Sequence, residues 1–175
     1  MKWCRDHRGM SLVEIIIVLA VMGIMTGVSA TLIGHIYYAN TKQAVEEIDS
    51  MLSKQRVESM SHKDTIYLYI YSLSDGYYMK QLSEELYTFD SSKMTSDGVK
   101  LCGGSTTVQR DGVTVDSSHI IRIAYKRSGV FDTTDVSGAS GVAGDKRTNV
   151  TTITVSGRGS FSISLTADTG KHYVN

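Results

Sequence analysis

The feature that most constrains this chain is a run of 19 uncharged residues, Ile15–Ile33, entered through a single carboxylate, Glu14. As a helix at 1.5 Å per residue it would reach about 28 Å, the thickness of a bilayer's hydrocarbon core. A carboxylate at the edge of such a run is costly. Acids at mid-helix cost roughly 2.5–3.5 kcal/mol on insertion scales, and less near an end. Glu14 therefore needs a cationic partner. Ahead of it, Lys2, Arg5 and Arg8 stand against Asp6 alone. By the positive-inside rule this basic leader stays cytoplasmic and the remainder of the chain lies outside, as a single-pass protein.

The stretch Arg8-Gly9-Met10-Ser11-Leu12-Val13-Glu14, followed by aliphatics, resembles the type IV prepilin signal. The resemblance implies cleavage between Gly9 and Met10 by a membrane-embedded aspartic peptidase, which then methylates the new amino terminus at Met10. Glu14 becomes the fifth mature residue, where that family keeps a glutamate. Met10 and Ser11 replace the family's commoner Phe and Thr. Glu14 stands at i+4 from Met10, on the same helix face. In the family this glutamate meets the amino group of a neighbouring subunit, so Glu14 implies assembly into a filament shaft rather than its tip. Implied partners are other pilin subunits, the prepilin peptidase/methyltransferase and an assembly platform membrane protein. The expected role is a structural subunit, not an enzyme, of a type IV pilus or a pilus-like secretion or competence filament. It sits first in the cytoplasmic membrane, then in a surface or periplasmic filament. Three readings compete: a secretory signal cut after Val28-Ser29-Ala30, releasing a soluble domain from Thr31; an uncleaved signal anchor; and a competence pseudopilin that takes DNA as a partner.

Removing nine residues from 175 leaves 166, enough for one anchored helix and one small domain. The whole chain balances 18 basic against 18 acidic residues. The leader holds three of the former and one of the latter, so the mature form is near −2. No general basicity points to nucleic acid. Cys4 departs with the leader, and Cys102 then has no intramolecular disulfide partner. Its expected role is a small buried hydrophobe. There is no proline.

Helical periodicity carries on past the apolar run to about Met60, with Ile33, Tyr37, Ala44, Ile48, Met51, Leu52 and Gln55 near one face. Gly23, Gly27 and Gly34 interrupt the apolar half, and imply close helix packing or local unwinding. After Asp64 the period becomes two. Ile66, Leu68 and Ile70 alternate with Tyr67, Tyr69 and Tyr71. A turn at Ser74-Asp75-Gly76 leads into Tyr77–Leu82, a hairpin pattern. The aliphatic face is expected on the helix. The tyrosine face reads as ordinary strand propensity, with an aromatic surface for sugar or a neighbouring subunit as the other reading. Further strands are expected near Val99–Leu101, Thr106–Gln109, Val113–Val115, His119–Tyr125, Val150–Ser156, Phe161–Leu165 and Lys171–Val174. Turns fall at Asp111-Gly112, Lys126–Gly129, Gly157–Gly159 and Asp168–Gly170. The last two strand pairs resemble the C-terminal hairpin of minor pilins and minor pseudopilins.

The expected fold is α+β, a helix over about 10–60 with its outer half packed on an antiparallel sheet. Residues 1–9 would be the leader, 10–35 the membrane and filament-core helix, and 36–175 the extracytoplasmic domain. No catalytic motif is present: no H-E-x-x-H, C-x-x-C, G-x-S-x-G or P-loop. His35 sits at the membrane exit, and His62, His119 and His172 share no ligand spacing. No cofactor or metal is expected, although Asp132, Asp135 and Asp145 in the Gly/Ser-rich stretch 132–148 raise calcium as a question. Asn149-Val150-Thr151 fits a glycosylation sequon. Arg158 and Lys171, with Lys146 and Arg147 nearby, form a candidate basic patch that would bind DNA only weakly.

Overall fold

A computed structural model describes residues 11–62, 64–86, 88–101, 106–131, 150–166 and 169–175, without the side chains of 28–33 and Val150. The architecture is α+β. Helix α1 (Leu12–Ser61) precedes nine strands among the described residues: β1 (Tyr67–Leu73), β2 (Gly76–Leu82), β3 (Val99–Leu101), β4 (Thr107–Arg110), β5 (Val113–Thr114), β6 (Ile121–Ala124), β7 (Val150–Ser156), β8 (Ser160–Thr166) and β9 (Lys171–Val174). The chain divides into two compact units, Met1–Ile36 and Tyr37–Asn175.

Within the second unit the strands form two antiparallel sheets, ordered β3-β2-β1-β6 and β5-β4-β7-β8-β9. One sheet was expected and two are found. The part of α1 in this unit lays Ala44, Val45, Ile48 and Leu52 into one core with Leu68, Ile70 and Ile123 of the first sheet and Val108, Ile153, Val155 and Ile163 of the second. The spacing of the helical four follows the 3.6-residue repeat. Thr41, Gln55 and Ser59 lie on the same buried stripe. Tyr37, expected on this face, is exposed at the unit's first residue, and Met51 is half-buried at its flank.

Gln55 is a polar side chain in this core whose amide nitrogen is satisfied while its Oε1 is buried without a partner. It is fully buried, and its Nε2 donates to the backbone oxygens of Ile66 and Ile123, both at 2.8 Å. It ties the helix to the entrance of β1 and to β6. Replacing it by the similarly sized Gln55→Met leaves both carbonyls without that donor. We expect a loss of about 2 kcal/mol, read by urea unfolding of the detergent-solubilised full chain.

The tyrosine face of β1 is a buried strand face and not an open aromatic binding surface. Tyr69 and Tyr71 are both 0% exposed, in a second core with Tyr78, Met94 and Ile120 against which Leu82, Leu86 and Phe89 pack. The connection between β2 and β3 covers this face and is tied down by polar contacts. Tyr69 Oη donates to Glu84 O at 3.0 Å and accepts from Leu86 N at 2.6 Å; Tyr71 Oη donates to Thr95 O at 2.6 Å. Lys80 Nζ donates to Lys93 O at 2.8 Å and meets Asp97 Oδ2 at 2.9 Å. Arg122, almost fully buried, pairs with Glu85 and stacks over the Tyr67 ring. Burial, followed by the charge of Asp97 and then Tyr78, pushes the Tyr71 hydroxyl up to about 12. It thus remains a donor across the physiological range.

Candidate assembly site

The site begins where α1 begins. Ser11 precedes the helix, and Glu14 N donates to Ser11 O at 3.0 Å and to Ser11 Oγ at 3.3 Å. Ser11 is thus the N-cap and Glu14 the third helical residue, a Ser-x-x-Glu spacing that the sequence reading had not connected with capping. A carboxylate in the first turn is also favoured by the helix dipole. Glu14 itself is exposed. Gly9 and Met10, the expected cleavage and methylation residues, lie outside the described residues.

Beyond Glu14 the helix is apolar around its circumference. Leu12, Val13, Ile15, Ile16, Ile17, Val18, Leu19, Val21, Met22, Ile24 and Met25 are all exposed, up to 74% at Leu12. Such a surface is stable only when something apolar covers it. Of the uncharged run Ile15–Ile33, the described side chains end at Gly27, and no helix among the described residues is long and apolar enough to cross a membrane. The helix is continuous through Gly23 and Gly27 in the single chain. A Cβ built on either glycine meets nothing within 4 Å. Thr26 satisfies its hydroxyl inside the helix, donating to Met22 O at 2.7 Å and Gly23 O at 3.0 Å.

The remaining candidates are dispersed. His35 is exposed on α1. His119 Nδ1 lies 3.0 Å from Asp116 Oδ1. The shift of Asp116 below the usual carboxylate range comes first from the Ser118 backbone N–H and then from His119. His172 Nε2 lies 3.1 Å from Asp49 Oδ1 and 3.2 Å from Ser53 Oγ. Both neighbours meet the same ring nitrogen, so the three form no proton relay of the Ser-His-Asp kind. Among the described residues no group of three or more His, Cys, Asp or Glu is placed to hold a metal ion. Cys102, Asn149, Asp132, Asp135, Asp145, Lys146 and Arg147 lie outside the described residues, and with them the calcium question.

Of the candidate basic patch, Arg158 and Lys171 are described and Lys146 and Arg147 are not. Arg158 lies in the turn closed by the Ser156–Ser160 pair, whereas Lys171 pairs with Thr166 at the other end of β8. Six strand steps separate those ends, about 20 Å.

Residues 4–30 match the family described as the prokaryotic N-terminal methylation motif. This bears out the resemblance to type IV prepilins on the residues that carry it. No curated protein matches the chain. Among solved structures, the chain is similar to the type IV minor pilin FimU of Pseudomonas aeruginosa in two crystal forms. In one, identity is 15% and TM-score 0.45, over 77% of this chain and 91% of that one; in the other the values are 14%, 0.44, 77% and 87%. Identity and TM-score are both low, so the fold assignment rests on the elements described above.

Proposed function

We propose that this chain is the precursor of a pilin-type structural subunit. The observation that carries the reading is the fully apolar, exposed start of α1, entered through one carboxylate and lying within a methylation motif. A subunit stored in lipid and then stacked against other subunits has a use for such a surface, because each environment covers it in turn. In this reading residues 1–9 are a cytoplasmic leader, 10–35 form the membrane and filament-core helix, and 36–175 form the extracytoplasmic domain. The uncharged residues of 28–33 complete the crossing, as their composition supports. The peptidase/methyltransferase cuts after Gly9 and methylates Met10. The freed α-amino group then neutralises Glu14 of a neighbouring subunit as helices leave lipid for the filament, with a platform membrane protein guiding the transfer.

Two observations favour this over a soluble product cut after Ala30. Helix α1 runs through that position without a break. Its continuation supplies the core residues Ala44 to Leu52. Mass spectrometry of the mature protein tests the point. We expect an amino terminus at N-methylated Met10. A start at Thr31, or retention of Met1, overturns the reading.

A further inference from the structure

Within the globular unit, α1 has two flanks of different chemistry. Positions 43, 47, 50 and 54 recur at helical spacing beside the first sheet; there Glu46, Glu47 and Lys54, with Met51, Met79 and Val99, line an open groove of about 450 Å³. Its apolar part includes Val99, 43% exposed on edge strand β3. Its rim carries two carboxylates and one ammonium. Lys54 is engaged with half-buried Glu58 at 3.8 Å and Glu46 with Lys42 at 3.7 Å, the latter an exposed pair of little strength. Glu47 differs. Its Oε1 accepts from Gln43 Nε2 at 2.9 Å, but its Oε2 is buried without a donor. A buried carboxylate oxygen left so is costly, and turning the half-buried Glu47 carboxyl outward to a cationic donor at the groove mouth relieves the cost.

The opposite flank, through Tyr38, Asp49, Ser53 and Arg56, faces the second sheet. It carries the turn Gly157-Arg158-Gly159. Gly157 N donates to Gly159 O at 2.7 Å, closing the turn. The Tyr38 ring lies 3.1 Å from where a Gly159 Cβ would stand, and packs on Phe161 with centroids 5.6 Å apart. The turn is therefore slim and pinned, and Arg158 stands exposed on it between two residues without side chains.

We propose that the groove of one copy receives the Arg158 turn of a second copy. The guanidinium supplies donors to Glu46 and to the Glu47 carboxylate as it turns outward, while the arginine stem lies along Met51 and Val99. Groove and turn occupy different flanks of one helix, so a head-to-tail contact leaves one copy its turn and the other its groove, and further copies can add. The inference rests on the filament reading only in taking the neighbour to be another copy of this chain.

Charge exchange tests it. Glu47→Arg and Arg158→Glu, each alone, bring like charges together and lower filament yield about tenfold or more. Combined, they restore the pair and return most of the yield. Independently, full-length Arg158→Lys chain in detergent is treated with a carbodiimide. The introduced amine then condenses with Glu46 or Glu47 of another copy to give an amide, and the cross-linked peptide is found by mass spectrometry in the dimer band. Wild-type yield from either single reversal, no rescue in the double variant, or no such cross-link overturns the inference. If the unmodified chain enters no filament, the subunit reading falls, and the cross-link still decides whether the two surfaces meet.

Discussion

Glu14→Ala chain is expected to be cut after Gly9 and methylated as efficiently as the parent, yet to yield no detectable filaments by electron microscopy of sheared surface material. The reasoning separates two duties that the S-L-V-E segment combines. Capping is done by Ser11, whose oxygens accept from the backbone N–H of Glu14. Alanine keeps that N–H and has the best helix propensity of any residue. The substitution costs the helix only the dipole term of the lost carboxylate, about 0.3–1 kcal/mol. What it removes entirely is the anion that, in the proposed mechanism, neutralises the amine of an incoming subunit. A helix end with an uncompensated ammonium then has to enter the apolar filament core, where breaking one partner of a buried pair costs about 3–5 kcal/mol per contact. Repeated at every subunit, that penalty prevents growth. Glu14→Gln, which retains the shape and loses the charge, should fail in the same way. Normal filaments from either variant would remove Glu14 from assembly and leave it as a first-turn carboxylate.

The strands were legible because their chemistry is local. The limits of β3 and β9 follow from short alternating segments between turn residues, and the β1–β2 hairpin from Ser74-Asp75-Gly76. The methylation motif was legible for the same reason, since a carboxylate beside a long uncharged run needs no tertiary context to be conspicuous. The burial of Tyr69 and Tyr71 was not. Alternating aliphatic and aromatic residues look like a strand with one wet face, but a strand covered on both sides is apolar on both. The cover comes from Leu86, Phe89 and Met94, irregularly spaced residues in a connection without strand or helix period. The split into two sheets was equally hidden. It depends on which distant strands pair, β1 with β6 and β4 with β7, and no local pattern encodes that choice. The same gap hid the separation of Arg158 and Lys171, which are close in sequence terms but sit at opposite ends of β8.

Gly170→Ala should be the most destabilising small substitution in the globular unit. Two turns meet there. Gly129, which donates its N–H to Lys126 O at 2.8 Å, closes the turn after β6; Gly170, donating to Thr166 O at 3.0 Å, closes the turn before β9. A Cβ on Gly170 would stand 1.8 Å from Gly129 O and 2.9 Å from Gly129 C. Those are backbone atoms, so no side chain can swing aside, and one of the turns has to move. Gly170 also holds φ at +61°, where a Cβ is disfavoured even in open space. Conformation alone costs about 1–2 kcal/mol, and forcing packed backbone apart adds about 1–3 more. Gly112→Ala separates the two contributions. Gly112 has φ +85° but nothing within 4 Å of its Cβ position, so only the conformational cost applies. In urea unfolding of the full chain in detergent, Gly112→Ala should lose about 1 kcal/mol and Gly170→Ala about 3 or more. Equal losses would mean that the two turns do not touch. A large gap would place the anchoring of β9, and with it the closing edge of the second sheet, on the contact between two glycines.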